Sequence, residues 1–237
     1  MKNVLIFGAS GHGSVVLDIL EKSKEFRPVG FLDSFIKKGT KKNGYRVLGS
    51  ELDLLHIIEK HNVYGGIVAV GDNWVRRRLV RSILCLAPEF IFINAIHPSA
   101  FLGKNVHLGN GTAIMPGVII NSNSTIGDHC ILNTRASIDH DGILSDFSSL
   151  APGVCCGGNV HLAVGAAISL GTLVIENIGI GAWSVVGAGS LVLDEIPENI
   201  VAYGSPARII RKRRAGEPYL GTTPNRHELK LPFNYTA

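Results

Sequence analysis

Residues 118–147 read VIINSN, STIGDH, CILNTR, ASIDHD, GILSDF when cut into sixes. The third residue of each six is aliphatic (Ile120, Ile126, Leu132, Ile138, Leu144), and the first is small or short (Val118, Ser124, Cys130, Ala136, Gly142). The frame runs without an insertion from Ala100 to Glu195. Over its sixteen hexads the third position is Leu, Ile or Val fifteen times, with Cys156 the exception. One large aliphatic and one small residue per six predict a hexapeptide β-helix, in which short flat strands turn corners and the aliphatic side chains fill a triangular prism. Three hexads close one coil, so residues eighteen apart stack. A β-sandwich would need turn signals every 8 to 12 residues or so, and this stretch has none at that spacing. If wound left-handed, as is usual for hexapeptide repeats, the coil departs from the right-handed crossover rule.

The chain on either side has a different rhythm. Strand-like runs at 3–7, 28–32, 66–70 and 90–93 alternate with helix-like stretches near 12–23, 51–60 and 73–86, which predicts a small Rossmann-like α/β unit with a parallel sheet. Asn73 is placed to cap the last of these helices, whose Val75, Leu79, Ile83 and Leu86 recur at helical spacing. The reading divides the chain into an α/β domain over 1–97, a β-helix over 98–210 and a tail over 211–237. The stretch EIPENIVAYGSPARII closes the solenoid, and the tail, with Pro218, Pro224 and Pro232, reads as extended and loosely packed.

Composition fits a folded protein: 237 residues, 46% hydrophobic and 18% charged, are enough to bury a substantial core. The net charge of +4 is modest, and its basic runs, Arg211 to Arg214 and the pairs Lys37-Lys38 and Lys41-Lys42, do not by charge alone point to nucleic acid. No cationic leader and no run of about 18 apolar residues is present, which argues against secretion and membrane spanning. Cys85, Cys130, Cys155 and Cys156 form no CxxC pair. That pattern suits a reducing, cytoplasmic setting better than a disulfide framework or a zinc site.

Residues 7–13, FGASGHG, follow the apolar Val4-Leu5-Ile6. A strand running into a glycine-rich turn lets backbone approach a phosphate. The spacing Gly8-x-x-Gly11-x-Gly13 is not the G-x-G-x-x-G of a dinucleotide fold, although Asp33 falls twenty residues after Gly13, where a ribose-binding acid would sit. The short stretch before the solenoid holds one mononucleotide half and not the two that NAD needs, so a single nucleotide fits better. The plain alternative is a tight turn and nothing more.

Among the histidines, His56, His61 and His227 have polar surroundings, and His107 and His161 occupy the outward second hexad position. His140 differs. It sits between Asp139 and Asp141 near a corner, where a carboxylate can hold one tautomer and keep the ring basic. One coil later stands Gly158 and one coil earlier Ser122. A glycine stacked on a histidine leaves an open N–H and room for a ligand, as an oxyanion-stabilising site needs. A surface histidine in a charged turn is the other reading. No metal is expected: three histidines are needed, and the spacing of eleven from His129 to His140 does not match the coil repeat of eighteen. Cys156 lies in a core slot and Cys155 has no base in its hexad, which leaves neither a good nucleophile.

FGASGHG, FLD ending at Asp33, GDN at 71–73, NTRASIDHD at 133–141, CCGGNV at 155–160 and YGSPAR at 203–208 together resemble the sugar acetyltransferases of the PglD/NeuD/VioB type over residues 2–210. The resemblance implies a left-handed β-helix enzyme with a nucleotide-binding α/β domain in front. Acetyl-CoA is its co-substrate, a nucleotide-linked amino sugar its acceptor and a homotrimer its assembly. It implies that Ser10, Gly11, His12, Gly13, Asp33 and Asn73 meet the nucleotide-sugar. His140 would be the general base, Asn133, seven residues earlier, the catalytic asparagine of the family's LNT motif, and Asp141, or else Asp139, would orient the ring. Gly158 would steady the oxyanion, and Gly171, Gly187, Ala188, Pro206 and Arg208 would line the path of CoA. Ser34-Phe35 stands where the family often has a second acid, and Asp141 where it often has a glutamate. The implied activity is N-acetylation of a nucleotide-linked 4-amino-4,6-dideoxy sugar for glycan or surface-polysaccharide synthesis. O-acetylation of a sialic-acid-like sugar is the alternative within the fold, and a non-catalytic nucleotide-binding scaffold the alternative outside it.

Overall fold

A computed structural model describes residues 1–220; the remainder of the expected tail, 221–237, lies outside the described residues. The first unit is a five-stranded sheet of order β3-β4-β2-β1-β5, with β1 at Lys2–Phe7, β2 at Phe26–Leu32, β3 at Lys41–Lys42, β4 at Tyr45–Gly49 and β5 at Gly65–Val68. All pairs are parallel except β3 with β4. The helices α1 (Gly11–Ser23), α2 (Leu54–His61) and α3 (Asn73–Leu86) complete it. Val4 to Phe7 are all buried, as a central parallel strand covered on both faces requires.

Three expectations are corrected. The hairpin β3–β4 was not expected, yet its turn is Asn43-Gly44, both with positive φ (47° and 85°), the pairing that a two-residue hairpin turn of type I′ demands. The run at 90–93 is not a strand and contributes one bridge, Gly66 to Phe92. The cap of α3 is Asp72, whose Oδ1 accepts from the amides of Trp74 and Val75 at 3.0 Å each, and Asn73 is the first helical residue.

The β-helix begins at Ala95–Ile96, which pairs with Ala113–Ile114. Two-residue rungs then recur every six residues to Leu191–Val192, and pairing partners lie one coil apart, as in Ile119 to Ser137 and Ser137 to Cys155. The coil is left-handed. Its interior is the third-position stack, buried from Ile114 to Val192, with Cys156 fitting the slot. The first positions are buried too, and their hydroxyls find carbonyl partners, as Ser124 does with Asp139 O at 2.9 Å and Thr112 with Gly127 O at 2.9 Å. A terminal hairpin, β23 (Ile200–Gly204) and β24 (Ala207–Lys212), closes the prism, the strands between β5 and β23 being the rungs.

Every sixth position from 105 to 189 has a positive φ, because each corner needs one left-handed residue to turn the chain. The first corner carries Asn105, Asn123, Asp141, Asn159 and Asn177 there. The second carries Gly111, His129, Phe147, Gly165 and Trp183, and the third Gly117, Arg135, Gly153, Gly171 and Gly189. The faces between corners differ as much. Between the third and first corners the outward residues include exposed Phe101, Ile119 and Leu173. Between the first and second they are His107, Thr125, Ile143 and His161. Between the second and third, Ala113, Ile131, Ser149, Ala167 and Val185 are buried, and α1 packs beside Ala95–Ile96. Among the described residues no helix is long and apolar enough to cross a membrane.

Candidate active site

The turn 139–141 stands on the first corner. His140 Nδ1 lies 2.7 Å from Asp141 Oδ2, and both side chains are more than half exposed (61% and 53%). A carboxylate partner assigns the proton to Nδ1 and leaves the Nε2 lone pair free to act as a base. Asp139 instead braces the turn, its Oδ1 accepting the His140 backbone N–H at 2.8 Å and Asn121 Nδ2 at 2.7 Å. Of the two carboxylates, Asp141 is therefore the one that orients the ring. One coil below, Asn123 Nδ2 donates to Asp141 Oδ1 at 3.3 Å. The hydrogen bond to Asp141, ahead of the charges of Asp139 and Asp141, raises the His140 pKa above the usual histidine value, and the same bond lowers that of Asp141.

Gly158 sits directly against the imidazole: a Cβ built there would lie 2.6 Å from Cε1 and 2.7 Å from Nε2. Any side chain would cover the basic nitrogen or push the ring aside. Asn133 lies elsewhere, in the turn 133–135 of the third corner, with its Nδ2 donating to Leu150 O at 2.9 Å. Gly171, Gly187 and Ala188 share that third corner, and Cβ atoms at Gly171 and Gly189 would meet nothing within 4 Å. Pro206 is in the turn of the terminal hairpin, and Arg208 makes an exposed pair with Asp194 at 3.6 Å. One chain thus gathers His140, Asp141 and Gly158 at one corner and Asn133, Gly171 and Ala188 at another.

In the α/β unit, the glycine loop leaves β1 and opens α1. Gly8 (φ +106°) leaves no room for a Cβ, which would lie 2.8 Å from Ala69 O, and Gly13 packs against Gly8 O, whereas Gly11 faces open space. Ser10 is the N-cap without a side-chain cap bond, and the first turn of α1 has no acid, so no carboxylate of the helix itself offsets its positive dipole end. Asp33 stitches the loop: Oδ2 accepts Ala9 N at 2.8 Å, while Oδ1 accepts Phe35 N and Ile36 N at 2.8 and 3.0 Å. Lys42, from the unexpected hairpin, donates to Ala9 O. His12 is turned inward with Nε2 buried and unpartnered, and burial followed by the charge of Arg76 lowers its pKa to about 4. Asn73 is buried, its Nδ2 donating to Gly165 O and Ala166 O at 3.2 Å each.

The likeness to known proteins follows this layout. Residues 3–83 match the PglD N-terminal domain and residues 96–140 the bacterial transferase hexapeptide family of six repeats. GDP-perosamine N-acetyltransferase of Escherichia coli O157:H7 is 30% identical over 220 residues, 87% of this chain and 96% of the relative. The chain belongs to the PglD-type sugar acetyltransferases. Among solved members, GDP-perosamine N-acetyltransferase from Caulobacter crescentus, a histidine-to-alanine variant in complex with CoA and GDP-perosamine, is 35% identical with a TM-score of 0.83, over 90% of this chain and 98% of that one. The acetyltransferase domain of PglB from Neisseria gonorrhoeae FA1090 is 28% identical with a TM-score of 0.82, over 89% of this chain and all of that one; it has also been solved in complex with acetyl coenzyme A.

The two buried cysteines are poor nucleophiles: burial pushes the Cys156 thiol up to about 12 and the Cys130 thiol to about 11. Among the described residues no group of three or more His, Cys, Asp or Glu is arranged to hold a metal ion. Sequence reading missed Asn121 and Asn123, although the signal was present, since each stands one coil before a carboxylate of the histidine turn. It also missed Arg76, one of four arginines on α3.

Proposed function

We propose that the protein transfers the acetyl group of acetyl-CoA to the 4-amino group of a nucleotide-linked 4-amino-4,6-dideoxy sugar, in glycan or surface-polysaccharide synthesis. The observation that carries this is the His140–Asp141 pair, aimed by its carboxylate and left uncovered by Gly158, in a chain whose relatives include a sugar N-acetyltransferase matched over nearly its whole length. The relatives' GDP-linked acceptor makes a GDP-sugar the first candidate, with the diphosphate at the amino end of α1, Ser10 to Gly13, and Asp33 nearby.

The neutral amine nitrogen adds to the thioester carbonyl carbon, and the carbonyl electron pair moves to oxygen, where the Gly158 N–H donates to it. Nε2 of His140 takes the proton from nitrogen, with Asp141 balancing the imidazolium. The electron pair returns, the C–S bond breaks, and the CoA thiolate takes the proton from His140. No covalent enzyme intermediate is required. The first and third corners are the two edges of the exposed apolar face carrying Phe101, Ile119 and Leu173. A neighbouring copy packed on that face would set its Asn133, Gly171, Gly187 and Ala188 beside this chain's His140, which favours a homotrimer in which CoA lies between subunits, its phosphates near Pro206 and Arg208. We place the enzyme in the cytoplasm, where both substrates are made.

The test is thiol release from acetyl-CoA with GDP-, UDP- and dTDP-linked 4-amino-6-deoxysugars and a sialic acid. Rapid release with one nucleotide amino sugar is expected, and it should collapse in His140→Ala. Release with the sialic acid alone would replace N-acetylation by O-acetylation, and silence throughout would favour a scaffold.

A further inference from the structure

At the second corner, the carbonyls that end four successive turns are all taken by side chains from outside the β-helix. Arg76 Nε donates to His129 O at 2.7 Å and Arg76 Nη2 to Phe147 O at 2.9 Å; Asn73 Nδ2 donates to Gly165 O at 3.2 Å and Arg213 Nη1 to Trp183 O. Residues 129, 147, 165 and 183 are one coil apart. Arg76 is fully buried, and its remaining bonds go to Val70 O and Gly71 O at 3.0 and 3.1 Å and Asn73 Oδ1 at 2.7 Å. Its hydrogen-bond partners among the described residues include no carboxylate, so the buried guanidinium is solvated by amide and main-chain oxygens of both domains. The burden of burying that charge lowers its pKa.

The same corner carries three bulky residues at positive φ, where other corners mostly use Gly or Asn. His129 is stacked on Phe147 at 5.0 Å and met edge-on by Phe92 at 4.6 Å, and Trp183 is met by Trp74 at 4.9 Å. Backbone strain of this kind persists where surrounding contacts over-determine it. The segment after β24 folds back to finish the arrangement: Arg213 lies over Tyr219 at 5.7 Å, and the Tyr219 hydroxyl accepts Asn73 N at 3.3 Å and donates to Gly71 O at 3.4 Å.

A solenoid presents nearly the same docking surface every coil, about 4.8 Å apart. A planar fork that needs two carbonyls one coil apart, combined with the order His, Phe, Gly, Trp, removes that degeneracy: a slip by one coil leaves Arg76 without its partners. We infer that Arg76, Asn73 and Arg213 are positioning residues of a register lock, which fixes the height of the glycine loop along the β-helix relative to His140 and so sets the reach from bound nucleotide to base. The inference rests on the nucleotide-sugar reading of that loop. The coil between His129 and Phe147 is the one that carries His140, so the lock acts where an error in height matters most.

The test uses full-length Arg76→Lys and Arg213→Ala. Expected are losses in kcat with the GDP-linked amino sugar of about 100-fold and 10-fold, since a misplacement of about 1 Å can cost that much. The Kd values for GDP and for CoA alone, by calorimetry, should stay within about twofold of wild type. Unchanged kcat in both variants overturns the lock, as does a kcat loss matched by equal losses in both Kd values, the mark of a merely structural role. Should Arg76→Lys fail to fold, Arg213→Ala decides. If wild type acetylates no nucleotide amino sugar, the functional reading falls while the lock is still judged: Arg213→Ala should speed amide exchange at 71–76 and 129–131 without touching Cys155–Cys156, and unchanged exchange at the junction overturns it.

Discussion

The first and second corners share one backbone, a left-handed residue at each sixth position, and differ in what fills it. On the first, Asn105, Asn123, Asp141 and Asn159 suit that conformation and leave their side chains in water, where they can hold a histidine. On the second, His129, Phe147 and Trp183 tolerate it because they are pressed against the α/β unit. The repeat supplies geometry alone; the sixth residue decides whether a corner becomes a reaction site or a docking seam.

The comparison breaks most sharply at His140. Replacing it by Ala should lower the transfer rate by roughly 10²- to 10⁴-fold, with the melting temperature unchanged, because the ring is exposed and packs little. Gly158→Ala comes next. Its Cβ would force the imidazole to turn, and a loss of about 100-fold in kcat is expected without a change in fold. A variant equal to wild type would show that the ring is not used in its observed position.

At the second corner the cost appears in stability. His12 and His129 are held near 4, chiefly by burial and then by Arg76, whereas the unfolded chain titrates near 6.5. Between those values the unfolded state binds more protons, so stability is full above about pH 6.5 and falls as pH drops toward 4, by roughly 3 kcal/mol per histidine. Denaturant titrations across that window should detect it. His129→Asn, with the residue that the first corner uses, should remove about half of the histidine-linked loss. Phe147→Ala should cost about 2 kcal/mol at neutral pH through lost aromatic packing.

Of this contrast, the sequence made the first corner easy to read and the second hard. The third-position aliphatics, present in fifteen of sixteen hexads, are a local signal, and the Asp139-His140-Asp141 turn announces itself with charge. Arg76 carries no such mark. In NWVRRRLVRSILCL it is one of several arginines on a polar-looking helix, and only a domain packed on that face turns it from a solvated charge into a buried fork. His12 and His129 are the same case, since burial is a property of the assembled junction. The hairpin at Asn43-Gly44 was legible and overlooked, whereas the separation of Asn133 from His140 follows from counting hexads: seven residues along the chain is one corner away.

The finest distinction is between the two carboxylate supports of His140. The ring acts as a base only when deprotonated, so its raised pKa places the acid limb of the rate profile above the ordinary histidine value. Asp141→Asn removes the largest cause of that rise and should move the limb to lower pH while reducing the plateau, because the Nδ1 proton is then less firmly held. Asn123→Ala removes a bond of 3.3 Å to the other oxygen of Asp141, in a setting open to water. Its effect should be under about threefold in rate, since an exposed hydrogen bond contributes little. Were Asn123→Ala to shift the limb as far as Asp141→Asn does, the first corner would depend on its neighbouring coils as the second does on the α/β unit, and the contrast between an open corner and a docked one would no longer hold.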